Sequence, residues 1–181
     1  MKRTSDRTRK DASEHKSDGQ GTTPSPTHYV AVGASAGGLE AIESFFSHMP
    51  PDSGLGFIVI QHLSPDYKSL MVELLSKKTL MPVHRAEDGM LVLPNHVYLI
   101  PPKKNLTIFH GKLLLSEQDH SKGVNLPIDV FLRSLAEDQS EKAVAIILSG
   151  TGSDGTKEER AIKKNRNINM IQDKKNAKYK K

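Results

Sequence analysis

Three short stretches of this chain hold residues able to do hydrolytic chemistry. In Gly33-Ala34-Ser35-Ala36-Gly37-Gly38 a serine stands at the centre of Gly-x-Ser-x-Gly. In Gln61-His62-Leu63-Ser64-Pro65 a histidine follows an apolar run, and in Gly150-Thr151-Gly152-Ser153-Asp154-Gly155 an aspartate sits in a glycine-rich loop. A serine hydroxyl is a weak nucleophile until a base takes its proton, and imidazole is the side chain that does so near neutral pH. A carboxylate that accepts the imidazole Nδ1–H holds the productive tautomer and stabilises the cation that forms. The backbone amides of Ala36 and Thr151 are the candidates for an oxyanion site, because glycine lets such loops approach a reacting carbonyl closely.

Each stretch also has a quieter reading. Ser35 suits the N-cap of a helix, and Gly-x-x-x-Gly-Gly between a strand and a helix resembles a dinucleotide loop. The second alternative lacks its partner: the next apolar run ends Ile60-Gln61-His62, with no acidic residue there to hold a ribose. No Gly-Lys-Ser/Thr follows, so a P-loop is excluded. His62 is one of eight histidines, and Asp154 could serve only an Asp-Gly turn. Asp66, Asp119 and Asp129 compete with Asp154 for the orienting role. The histidines show neither His-x-x-x-His nor His-Glu-x-x-His, so a metal site has little support.

The elements that must position these residues follow from periodicity. Tyr29–Val32 reads as a short strand; Leu39, Ile42, Phe45, Phe46 and Met49 recur at helical spacing until Pro50-Pro51 stops the helix. Residues 56–61 form a continuous apolar run, the mark of a strand buried on both faces. Leu70, Met71, Leu74 and Leu75 predict a second short helix. Val92–Leu93, Val97–Ile100, Leu106–Ile108 and Leu113–Leu115 are short strand-like pieces divided by turn signals, which predicts an antiparallel β insert near residues 92–116 at the edge of the sheet. A helix is expected over Ile128–Leu135 after Pro127, and a third buried strand over Ala143–Leu148. A helix from about Thr156 to Lys164 and a last strand near Ile168–Gln172 complete the pattern. The fold class expected is α/β, with a mainly parallel central sheet flanked by helices. Ser35, His62 and the 149–155 loop each follow the carboxyl end of one of the three strongest strands, where ligand sites of such sheets lie.

Composition bounds the rest. The 181 residues suffice for one domain with a real core. Of the net charge of +5, residues 1–28 carry +2 and residues 173–181 carry +4, which leaves −1 for residues 29–172. The basic balance therefore describes the two ends, and it gives no argument for nucleic-acid binding. Residues 1–27 read as a disordered polar leader, 28–172 as the domain and 173–181 as a Lys-rich tail. Cysteine is absent, which fits a cytoplasmic protein. No apolar segment has the length of a signal peptide core or a membrane span, so no membrane insertion is expected.

Taken together, the three stretches, with Val97-Tyr98-Leu99-Ile100-Pro101-Pro102 and Pro127-Ile128-Asp129-Val130-Phe131, closely resemble the signatures of the CheB-type protein-glutamate methylesterase domain from about Tyr29 to Gln172. The resemblance implies hydrolysis of glutamate methyl esters, and deamidation of glutamine, on chemoreceptor cytoplasmic helices. It implies Ser35 as nucleophile, His62 as general base and acid, Asp154 as its orienting residue, and no metal or organic cofactor. The wording Gly-Leu-Glu-Ala-Ile and Gln-His-Leu-Ser-Pro-Asp is similar to the subset often fused to a receptor methyltransferase, so a methyltransferase or signalling domain is a further expected partner. The chain departs from the family pattern in three places. A polar leader stands where the family has a receiver domain. Glu158 falls where a glycine is expected. After Gln172-Asp173 the sequence runs into Lys-rich residues, so the domain is expected to be truncated at its C-terminus, with Asn165-Arg166-Asn167 in place of the usual glycines. These departures raise a reading of another class, a catalytically degenerate module that binds receptors or a partner.

Overall fold

The computed structural model describes residues 23–34, 38–61, 70–118, 126–148 and 168–171. Strand β1 (Tyr29–Ala34) leads towards helix α1 (Leu39–His48), then strand β2 (Gly56–Gln61) and the short helix α2 (Met71–Ser76). Strands β3 (Val83–Arg85), β4 (His96–Leu99), β5 (Lys104–Phe109) and β6 (Lys112–Glu117) follow. Helix α3 (Pro127–Gln139), strand β7 (Ala143–Leu148) and strand β8 (Ile168–Ile171) complete the described chain. Six strands form one sheet in the order β3-β4-β2-β1-β7-β8. Every pair in it is parallel. Strands β5 and β6 pair with each other, antiparallel, in a separate sheet.

The expected α/β architecture with a parallel sheet is therefore what the chain forms. The expected antiparallel insert is narrower than its sequence span. Among the described residues only β5 and β6 pair antiparallel, with one isolated bridge, Leu91 to Lys112. The piece at Val97–Ile100 instead enters the main sheet as β4, parallel to both β2 and β3. The reason lies at its start. Asn95, at a left-handed φ of 62°, accepts the Gly54 N–H on its Oδ1 at 2.6 Å, and its own N–H donates to Leu55 O at 2.7 Å. Those bonds lay the chain alongside the start of β2 instead of folding it back in a hairpin.

Two layers of apolar side chains cover the sheet. On one face Ala31, Ile58 and Ala145 pack with Ile128, Phe131, Leu132, Leu135 and Ala136 of α3, and with Leu106, Ile108 and Leu113 of the β5–β6 hairpin. On the other, Val30, Val32, Phe57 and Val59 pack with Ile42 and Phe46 of α1 and Met71 and Leu75 of α2. The α3 residues fall at i, i+3, i+4, i+7 and i+8, one stripe of a helix. Burying each large apolar side chain is worth about 1.5–3 kcal/mol, so the stripe holds α3 on the sheet. Pro127 opens α3 at its first turn, where its missing N–H has no helical partner to lose. Helix α1 stops where the sequence says it must: Met49, before Pro50, is extended, with ψ 125°.

The residues just before His28 pack against the domain. Pro26 is buried, and Thr27 donates its N–H to Gly54 O at 2.9 Å.

Candidate active site at the carboxyl edge of the sheet

The site expected from sequence must be built at the ends of β2, β1 and β7, which are neighbours in that order. Their registers coincide. Ala34 pairs with Gln61 on one side and with Leu148 on the other. The last residues of the three strands thus form one row across the sheet, at the strand spacing of about 4.8 Å. Ser35, His62 and Ser149 are the next residues in sequence after each of them.

This row also contains the topological switch of the sheet. From β1 the chain passes through α1 to β2 on one side, whereas β7 is reached through α3 and pairs on the other side. Helix α1 packs on one face and α3 on the opposite face. Chains that leave adjacent parallel strands in opposite directions open a crevice between their carboxyl ends, the usual ligand site of such sheets.

Ser35, Ala36, His62, Thr151 and Asp154 themselves lie outside the described residues, as do Asp66, Asp119 and Glu158. So does the helix expected at Thr156–Lys164. What the structure gives is their framework. Gly33 is packed against α3: a Cβ placed on it would stand 2.9 Å from Ile128 Cγ2. The start of α3 therefore covers the end of β1. Asp129, in the first turn of α3 and only 4 % exposed, is the one competing carboxylate among the described residues. A carboxylate there is favoured by the helix dipole.

The other described histidines take up positions away from this row. His48 ends α1, with Nδ1 2.8 Å from Ser44 O. His84 and His96 stack on one another, centroids 5.3 Å apart, beside Tyr98. Burial, and then the neighbouring His96, hold the His84 imidazole below its usual value. Tyr98 accepts the Leu93 N–H at 3.0 Å and donates to Leu91 O at 3.1 Å, and burial raises its phenol above the ordinary range. Tyr98 thereby braces the Leu91–Leu93 segment.

Gln61 escaped the sequence reading as a functional residue. It is 7 % exposed, and neither Nε2 nor Oε1 has a hydrogen-bond partner among the described residues. Leaving a buried polar group unpaired costs about 1–3 kcal/mol. The available signal was a polar residue closing an otherwise continuous apolar strand.

Comparison with known proteins agrees with this framework. The sequence profile described as CheB methylesterase matches residues 30–181. A protein-glutamate methylesterase/protein-glutamine glutaminase from Nitrosospira multiformis is 32% identical over 153 residues, 84% of this chain and 43% of that protein. One of the same name from Thiobacillus denitrificans is 34% identical over 148 residues, 80% of this chain and 41% of that protein. The chain thus spans about two fifths of the length of these relatives. The crystal structure of the Thermotoga maritima CheB methylesterase catalytic domain superimposes with a TM-score of 0.74 at 29% identity, covering 83% of this chain and 82% of that one.

Proposed function

Because this chain belongs to the CheB methylesterase family, we propose that it hydrolyses glutamate methyl esters, and deamidates glutamine, on cytoplasmic helices of chemoreceptors, using Ser35, His62 and Asp154. The observation that carries this reading is the single row formed by Gln61, Ala34 and Leu148. Two of the three triad residues directly follow members of that row, and the loop containing Asp154 follows the third.

In this mechanism Ser35 Oγ attacks the ester carbonyl carbon while His62 takes the hydroxyl proton. The tetrahedral oxyanion is met by the amides of Ala36 and Thr151. His62 then gives the proton to the departing methoxide, and methanol leaves an acyl-enzyme. Water, deprotonated by His62, attacks the acyl carbon and releases Ser35 and a glutamate carboxylate. With a glutamine substrate the same steps expel ammonia. Asp154 accepts the His62 Nδ1–H throughout.

The setting is a cytoplasmic adaptation step. The net positive charge resides at the two chain ends, and no helix among the described residues is long and apolar enough to cross a membrane. A receptor methyltransferase or an associated signalling domain is the further partner this reading includes.

Methanol release from a methylated receptor fragment tests it. The protein is expected to release methanol, and Ser35→Ala to abolish release. Equal release by the Ser35→Ala variant would remove Ser35 from the mechanism. Receptor binding without methanol release would instead mark the chain as a binding module.

A further inference from the structure

Three rings lie side by side on one face of β3 and β4. His84 of β3 and His96 of β4 stack with centroids 5.3 Å apart and planes 12° from parallel. Tyr98 of β4 lies 5.5 Å from His84 and 6.4 Å from His96. The two β4 rings are anchored. The Tyr98 hydroxyl holds the Leu93 N–H and Leu91 O, and His96 Nδ1–H donates to Pro94 O at 2.8 Å.

Strand β3 is three residues long, half-buried or exposed throughout, and pairs with β4 alone among the described residues. At its two ends the Val97 N–H donates to Pro82 O and the Ala86 N–H to Leu99 O, each at 2.9 Å. By strand alternation Val83 and Arg85 take the opposite face, where Val83 packs with the α2 layer. His84 is therefore the one side chain that β3 itself sets on the ring face.

A phenylalanine there would stack at any pH, whereas an imidazole takes up a proton in mild acid. Burial, and then the neighbouring His96, already disfavour that proton on His84. Tyr98, the other titratable group of the stack, has its phenol raised by burial and stays neutral in acid. The segment Gly89–Pro94 beside it carries no titratable side chain. Arg85, and α2 with Glu73 and its C-cap Lys77, belong to the opposite face. Glu87 and Asp88 follow β3, and Asp88 accepts the Leu115 N–H at 2.8 Å.

We propose that the His84–His96 stack is an acid-sensitive latch, which holds β3 on β4 at neutral pH and releases it in mild acid ahead of the rest of the sheet. A proton on either imidazole sets a cation against the other ring, and a second proton sets two like charges side by side. His96 is tied to Pro94 O, so β3 is the strand that yields. Its release unpairs the Val97 N–H and bares the outer backbone edge of β4, a surface able to accept another strand. Strands β2, β1 and β7 lie further in and keep their pairing. The latch does not depend on the hydrolytic reading of Ser35.

Native-state hydrogen exchange of the full chain, corrected for the intrinsic pH dependence of exchange, tests this. Between pH 7.5 and pH 5.0 the protection of the Ala86 and Val97 amides should fall by at least about tenfold, and that of Ile58 in β2 and Ala145 in β7 by less than about twofold. His84→Phe keeps a stacking ring without the charge and should leave Ala86 and Val97 protected at both pH values. Equal loss at the edge and in the central strands of the parent would overturn the latch. So would a His84→Phe protein that loses edge protection as the parent does. Should His84→Phe fail to fold, the parent protein still decides. Its His84 ring protons and its Ala86 amide should shift at one common midpoint in an NMR titration, and separate midpoints would overturn the proposal.

Discussion

Ile128 of α3 lies so close to Gly33 of β1 that no side chain fits between them. A Cβ on Gly33 would stand 2.9 Å from Ile128 Cγ2 and 2.9 Å from Ile147 Cδ1 of β7. Three elements therefore meet two residues before Ser35: the strand that carries the serine, its neighbour β7, and the helix that covers both.

Gly33→Ala must move α3 or β7 outward. Overpacking of this kind costs about 1–3 kcal/mol, and denaturant unfolding should show a loss in that range. Activity should fall further than the folded fraction does, because the displaced contact adjoins the end of β1. A variant as stable and as active as the parent would show that the helix can yield at no cost.

Asp138 holds the tip of the β5–β6 hairpin to α3. Its two carboxylate oxygens accept the His110 N–H at 2.6 Å and the Gly111 N–H at 3.0 Å. Hydrogen bonds to a charged group are worth about 1.5–3 kcal/mol each at most, and partial exposure reduces this. Asp138→Ala should destabilise the fold by about 1–2 kcal/mol and speed amide exchange at residues 109–112 before any other segment. Uniform exchange changes across the sheet would contradict this local role.

Stability should also fall in mild acid through His84. Its imidazole titrates below the usual value because burial, and then His96, disfavour the cation. The unfolded chain thus binds the proton more readily than the folded one. The contribution is fully present above the unfolded pKa of about 6.5 and is lost as the pH falls through the folded value. Urea midpoints at pH 7.5 and pH 5.0 should therefore differ less in His84→Gln than in the parent. An equal pH dependence in the two proteins would remove His84 as a source.

Asp154 and Asp129, the competitor that lies among the described residues, separate by experiment as partners of the His62 imidazole. Neutralising the acid of a serine triad lowers kcat by about 10⁴-fold, and Asp154→Asn should approach that loss. Asp129→Asn, at the first turn of α3, should lower kcat by less than about tenfold. The reverse order would reassign the orienting role to Asp129.

Much of this framework was legible in the sequence because its strongest signals are local. The runs at residues 56–61 and 143–148 have the continuous apolarity of central strands, and α1 and α3 carry one apolar stripe each. Strand β3 was not legible: Val83-His84-Arg85 is three residues long and only partly buried, so neither alternation nor an apolar run marks it. The parallel pairing of β4 was missed because it depends on Asn95 reaching Gly54, 41 positions away, which no local pattern encodes. The strand-end positions of the candidate site were visible, but the common register of Ala34, Gln61 and Leu148 and the burial of the Gln61 carboxamide arise only from strand pairing and packing.

The most direct test of the central claim is the site and stoichiometry of covalent labelling by a serine-reactive phosphonate, read by peptide mass spectrometry. A triad assembled at the ends of β1, β2 and β7 predicts one label per chain, located on Ser35, and none in His62→Ala. Absence of label from the folded parent protein, or label spread over other serines while Ser35 stays free, would contradict it.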